Sequence, residues 1–176
     1  RIEHESLIKK AIGKNKAQLK IFDATAGSLI DTIIFLKLGH KVVACEQSKI
    51  LIKLLKDAIE RGKEEYSFFK NLVLINEDAA NVIELHQDSD IFYFDPMFNN
   101  TKRNIKRSGT LNKISNILSH EKLEDTSEDI FNYMQTSNYK KIIVKRPIKS
   151  KPLQEKINYQ VKGKAIRFDI YVDNSH

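Results

Sequence analysis

Asp90-Ile91-Phe92-Tyr93-Phe94-Asp95-Pro96-Met97-Phe98 is the stretch that decides how this chain folds. From Ile91 to Phe94 every side chain is apolar or aromatic, a pattern expected of a strand whose sheet is covered by helices on both faces. Pro96 cannot donate to a sheet ladder, so the strand should end at Asp95. A buried strand over 90–95 requires partner strands alternating with helices, and the sequence supplies them on both sides.

Upstream, a lead-in helix at about 3–13 precedes a first strand from Gln18 to Asp23. A turn containing Gly27 leads into a helix that ends near Leu38, with Gly39 as its stop. Lys41 to Glu46 is the second strand, and Ser48 caps the next helix. Ile50, Leu51, Leu54, Leu55, Ala58 and Ile59 form that helix's apolar stripe, and Gly62 ends it. Asn71 to Asn76 is the third strand, and 79–86 a short helix. Downstream come a long polar stretch, a helix near 125–135, and a fifth strand, Lys141 to Val144, stopped by Pro147. Tyr159 to Val161 and Ile166 to Val172 read as a hairpin across Lys162-Gly163-Lys164. The expected fold is α/β: a doubly wound sheet of five parallel strands closed by an antiparallel pair.

The 176 residues are expected to form a single domain, residues 1–176, with 1–16 as the lead-in. Because the chain opens at Arg1, a further N-terminal region is expected to precede it. Its formal charge is +7 and its pI near 9.3, which favours a polyanionic partner. A single cysteine, Cys45, excludes an internal disulfide framework and fits a reducing cytoplasm. No apolar run is long enough for a membrane helix. His40, His86 and His120 lack metal-ligand spacing, so no metal is expected, and neither a Ser–His–Asp nor a Walker arrangement is present.

Chemistry concentrates at the expected strand ends, beyond which ligands of such sheets bind. Asp23-Ala24-Thr25-Ala26-Gly27 follows the first strand, and its small residues let a ligand approach the backbone. Such a turn can equally be structural. Glu46 ends the second strand, where an acid can accept hydrogen bonds from both hydroxyls of a ribose. Asp78, after the third, could accept from an adenine amino group or simply cap the following helix. After the fourth strand, the Asp95 carboxylate and the Pro96 carbonyl could each accept an N–H of a base amino group. That would localise a lone pair otherwise delocalised into the ring. Phe98 could stack on the flipped base. The plainer alternative is a proline turn with Phe98 in the core.

Asp95-Pro96-Met97-Phe98 resembles the Asp/Asn-Pro-Pro-Tyr/Phe signature of amino-group methyltransferases. Further segments resemble one family, the RsmJ or YhiQ-like 16S ribosomal RNA guanine-N2 methyltransferases. These are Asp23 to Gly27, Leu38-Gly39-His40-Lys41-Val42, Val144-Lys145-Arg146-Pro147 and Arg167-Phe168-Asp169-Ile170-Tyr171. The resemblance runs in order from about residue 17 to 172. It implies a seven-stranded class I methyltransferase sheet, S-adenosylmethionine as cofactor and the N2 amino group of a 16S guanine as acceptor. By position it implies that Asp23 to Gly27, Ile30-Asp31, Glu46-Gln47, Asp78-Ala79 and Asp95 surround the cofactor, with Asp95, Pro96 and Phe98 catalytic.

The chain departs from the family loop Ala-Gly-Leu-Gly-Arg-Asp, which here is Ala26-Gly27-Ser28-Leu29-Ile30-Asp31, and Asn99 replaces a proline. A β-carbon at Leu29 is expected to tighten the cofactor's approach. Lys102, Arg103, Lys106 and Arg107, with Lys145 and Arg146 after the fifth strand, form basic segments suited to RNA phosphates around the pocket. The expected partner is 16S ribosomal RNA or the small subunit, in the cytoplasm. Two other readings stay open at this point: an amino-group methyltransferase for adenine or protein glutamine, and a non-catalytic RNA-binding domain.

Overall fold

A computed structural model of the chain describes residues 2–14, 17–96, 121, 126–137 and 139–173. Phe98, Lys102, Arg103, Lys106 and Arg107 lie outside the described residues. Helix α1 (Ile2–Ile12) precedes β1 (Lys20–Asp23), α2 (Ile30–Lys37), β2 (Lys41–Cys45) and α3 (Lys49–Gly62). Then follow β3 (Leu72–Ile75), α4 (Ala79–Val82), β4 (Ile91–Phe94), α5 (Ser127–Thr136), β5 (Lys141–Pro147), β6 (Tyr159–Lys162) and β7 (Ile166–Val172).

These strands make one seven-stranded sheet in the order β3-β2-β1-β4-β5-β7-β6. The pairs among β1 to β5 are parallel, and β7 runs antiparallel between β5 and β6. The order reverses between β1 and β4, opening a crevice at their carboxyl ends. Asp23 and Asp95 leave the sheet there.

Alternation along β4 divides the core. Ile91 and Tyr93 join α1, α2 and the inner side of α3, while Phe92 and Phe94 join α4 and α5 on the other face. All four are buried, as the unbroken apolar run requires. Lys141 Nζ donates to the Ile12 carbonyl at 2.8 Å, fastening the carboxyl end of α1 to the start of β5.

Most expected elements are present with small shifts in their ends. Ser48 caps α3, its hydroxyl accepting from Leu51 N–H. The stripe on α3 is rotated from its expected position. Leu51 and Ile52 are buried, whereas Ile50 and Leu54 are 44% and 52% exposed. The short helix at 79–86 is one α-helical turn followed by a 3-10 turn. Strand β5 continues past Val144 through Pro147, because β7 pairs with it as far as Ile166. On β7, Arg167 donates through Nε and Nη2 to the two oxygens of buried Asp169, at 2.8 and 3.1 Å. That pair is structural.

Candidate active site

The loop after β1 takes its shape from Asp23. Its buried carboxylate accepts from Thr32 Oγ1 at 2.5 Å and from Thr25 N–H at 3.1 Å, tying the loop to α2. Burial pushes this carboxyl up to about 7, against the pull of those two donors. Ala24 N–H donates to the Tyr93 carbonyl and Ala26 N–H to that of Cys45, so the loop is laced to both neighbouring strands. Gly27 adopts φ 50, where a side chain would be strained.

Leu29 is the non-glycine residue with positive φ among those described, at 60°, and forms the N-cap of α2. Its side chain is buried in the core beside α1 and α2. The bulk expected to crowd the loop is therefore accommodated by core packing, which offsets the left-handed backbone. Ile30, by contrast, is exposed at the start of α2.

Glu46 couples the first two strand ends. Its Oε2 accepts from Gly27 N–H at 3.0 Å and its Oε1 from Ser48 N–H at 2.8 Å. Each oxygen retains a further lone pair, the requirement for receiving the two hydroxyls of a ribose. Burial raises this carboxyl, and nearby Glu121 adds to the rise. Asn76, which the sequence offered only as a strand end, holds this turn from β3: its Nδ2 donates to the carbonyls of Glu46 and Gln47, at 2.9 and 3.3 Å. Asp78 caps α4, with Oδ1 accepting from Ala80 N–H and Oδ2 from Thr126 Oγ1, so the capping alternative is the one observed.

On the other side of the crevice, Asp95 N–H donates to Thr25 Oγ1 at 2.7 Å, locking the start of the Asp-Pro turn to the first loop. Asp95 Oδ2 accepts from Lys145 Nζ at 2.7 Å, and the same ammonium donates to Asp31 Oδ2 at 3.0 Å. Asp31 Oδ1 lies 2.5 Å from His4 Nε2 on α1, and the Tyr93 hydroxyl donates to Asp31 Oδ2. Burial would raise Asp31, but His4, Lys145 and Tyr93 outweigh it and hold the carboxyl at about 2. For Asp95 the balance is reversed: burial raises it despite the opposing Lys145 charge.

Two residues expected to meet RNA phosphates have partners within the protein. Lys145 faces inward because the parallel register that pairs Phe94 with Val144 sets it level with Asp95. Arg146 is buried, and its Nη2 donates to the Lys151 carbonyl. Arg167 Nη1 adds bonds to the carbonyls of Pro147, Ile148 and Ser150, so two buried arginines shape this loop while Lys149 and Lys151 are exposed on it. His4 and Tyr93 were missed as members of the site, and the contact of Lys145 with Asp95 was not foreseen. The one local signal was a lysine immediately after an apolar strand, level with Asp95.

Among the described residues, no cluster suited to a metal ion is found, and no helix is long and apolar enough to cross a membrane. The sequence matches, over residues 2–173, the model of a family described as "Putative SAM-dependent methyltransferase". It is 33% identical over 172 residues to ribosomal RNA small subunit methyltransferase J of Francisella tularensis subsp. novicida, covering 94% of this chain and 70% of that protein. The protein of the same name in Bdellovibrio bacteriovorus is 28% identical over 169 residues, covering 94% of this chain and 65% of its own length. A SAM-dependent methyltransferase of Neisseria gonorrhoeae superposes with a TM-score of 0.67 at 29% identity, over 97% of this chain and 72% of that one. The sheet order, the strand-end acids and these matches agree, and the chain belongs to the SAM-dependent methyltransferases, in the family of ribosomal RNA small subunit methyltransferase J.

Proposed function

We propose that this chain, acting as a single domain over residues 1–176, methylates the N2 amino group of a guanine in small-subunit ribosomal RNA. The observation that carries the reading is Asp95-Pro96 at the mouth of the crevice, tied to the first loop through Thr25 and to β5 through Lys145. The relatives' printed name supports the ribosomal RNA, and a cytoplasmic location follows from that substrate.

The residues at the first three strand ends fit the cofactor. S-adenosylmethionine is cationic at its sulfonium and supplies an electrophilic methyl group. Among the described residues no cation pairs with Asp23, Glu46 or Asp78 in an ion pair, so no positive side chain opposes a cationic ligand there. Glu46 would receive the ribose hydroxyls with its remaining lone pairs, and Gln47 would flank them. Asp23 to Gly27 and Ile30-Asp31 would frame the methionine end, while Asp78-Ala79 would border the adenine.

Asp95 and the Pro96 carbonyl would each accept one amino N–H and turn the nitrogen lone pair towards the methyl carbon. Held in this way, the nitrogen would take the methyl group that the bound cofactor supplies, leaving the C–S electron pair on sulfur, and would release one proton to water. Phe98 would stack on the flipped base, and Lys102, Arg103, Lys106 and Arg107 would hold phosphates beside it. Exposed Lys149 and Lys151 would take over the phosphate role first expected of Lys145 and Arg146.

Incubating the protein with methyl-labelled S-adenosylmethionine and undermethylated 30S subunits, followed by nucleoside analysis, tests this directly. Labelled N2-methylguanosine is the expected product. N6-methyladenosine, or no transfer, would overturn the acceptor assignment.

A further inference from the structure

Lys145 is set apart from the other basic residues by what surrounds its ammonium. It stands between Asp95 and Asp31, 2.7 and 3.0 Å from their Oδ2 atoms. Its far side is fixed, because Asp31 is held by His4 from α1 and by the Tyr93 hydroxyl from β4. The charged and titratable groups that bear on Asp95 or on the acids around it are Lys145 on β5, Asp31 on α2, His4 on α1, Asp23 on β1 and Tyr93 on β4. Lys145 is the one permanent cation in that set, and it contacts two of the three carboxylates, Asp95 and Asp31. The ammonium engages Oδ2 of Asp95, and among the described residues no donor contacts Oδ1.

We propose that Lys145 is a positioning residue for amino-group methylation, holding Asp95 as a carboxylate with Oδ2 turned inward and Oδ1 presented to the amino N–H. Asp31, His4 and Tyr93 hold the ammonium in place, so the lead-in helix α1 contributes to the acceptor side of the site. The inference rests on the assignment of Asp95 as the amino acceptor. Its chemical basis is that a carboxylic acid presents a hydroxyl hydrogen where the amino group needs a lone pair. Burial favours that neutral acid, and a cation at 2.7 Å opposes it.

The test is a carbon-13 carboxyl titration of aspartate-labelled protein, with the Asp95 signal assigned through Asp95→Asn. It is run on wild type, Lys145→Met and Lys145→Arg, with circular dichroism and S-adenosylmethionine affinity as controls for folding. In Lys145→Met the Asp95 midpoint should rise by at least about one pH unit, the smaller end of the effect of a close opposite charge. The acidic limb of the single-turnover rate on 30S subunits should move up by the same amount, with the rate recovering at high pH. Lys145→Arg should keep both near wild type. The charge-balanced Lys145→Met/Asp31→Asn protein also leaves Asp95 without its cation and should still show a rise, smaller because the repelling Asp31 charge is gone too, which covers failure of the single variant to fold. An unmoved Asp95 midpoint, or a rate lost equally at every pH, would overturn the proposal. If wild type transfers no methyl to 30S subunits, the acceptor assignment fails instead, and the titration still decides whether Lys145 controls Asp95.

Discussion

The two sides of the crevice solve the problem of buried acid differently. On the side of β1, β2 and β3, Asp23, Glu46 and Asp78 are satisfied by backbone N–H groups and threonine hydroxyls. On the side of β4, β5 and β7, Asp95 and Asp169 each meet a cation, Lys145 and Arg167. Backbone donors fix a carboxylate's position while leaving its charge uncompensated, which suits a cationic ligand. A paired ammonium or guanidinium cancels that charge and fixes orientation, which suits a neutral amino group. The difference supports the proposal that the first side takes the cofactor and the second the acceptor.

The paired side should be the more fragile to loss of a cation. Arg167→Met leaves Asp169 buried without its partner and should cost about 3–5 kcal/mol of stability, read from urea unfolding. A loss below 1 kcal/mol would mean that the guanidinium is not what compensates that acid.

The unpaired side should reveal itself through cofactor affinity. Glu46→Ala should weaken S-adenosylmethionine binding by about 1.5–3 kcal/mol in calorimetry, the range for hydrogen bonds to a charged group. Unchanged affinity in a folded protein would remove Glu46 from the cofactor site. Leu29→Gly should leave that affinity unchanged, because the side chain is in the core. Truncation there costs roughly 2–5 kcal/mol, and relief of the left-handed backbone returns roughly 1–2. A net destabilisation of about 1–3 kcal/mol is expected. Tighter cofactor binding would show that Leu29 crowds the loop after all.

The smallest effect is a slope. Asp23 is raised to about 7, so its contribution to stability is full below its unfolded value of 3.8 and is lost as pH rises towards 7. Asp31, lowered to about 2, contributes above 3.8 and loses that contribution as pH falls towards 2. Asp23→Asn should therefore flatten the stability profile between pH 4 and 7 and leave the limb below pH 4 intact. An unchanged slope between pH 4 and 7 would show that Asp23 ionises freely in the folded protein.

The cofactor side was the more legible in sequence. Asp23, Glu46 and Asp78 follow short apolar strands, and half of their bonds reach an amide two residues on, so local pattern carries much of their placement. The acceptor side depends on contacts remote in sequence. His4 meets Asp31 across 27 residues, and Lys145 meets Asp31 across 114, distances over which periodicity carries no information. The burial of Arg146 beside the loop carbonyls was equally hidden, because a basic run after a strand resembles a solvated loop. Leu29 resembled a lost glycine in sequence, whereas the fold retains the glycine-like backbone and packs the added side chain inside.

Single-turnover methyl transfer to 30S subunits by Asp95→Ala, with cofactor and RNA affinities measured on the same protein, tests the division of the crevice most directly. Loss of one preorganised partner of the reacting group should slow transfer about 10²–10³-fold. RNA affinity should be nearly unchanged, because phosphate contacts dominate it. A near-normal rate in the folded variant would contradict the account and place the methyl-transfer site elsewhere.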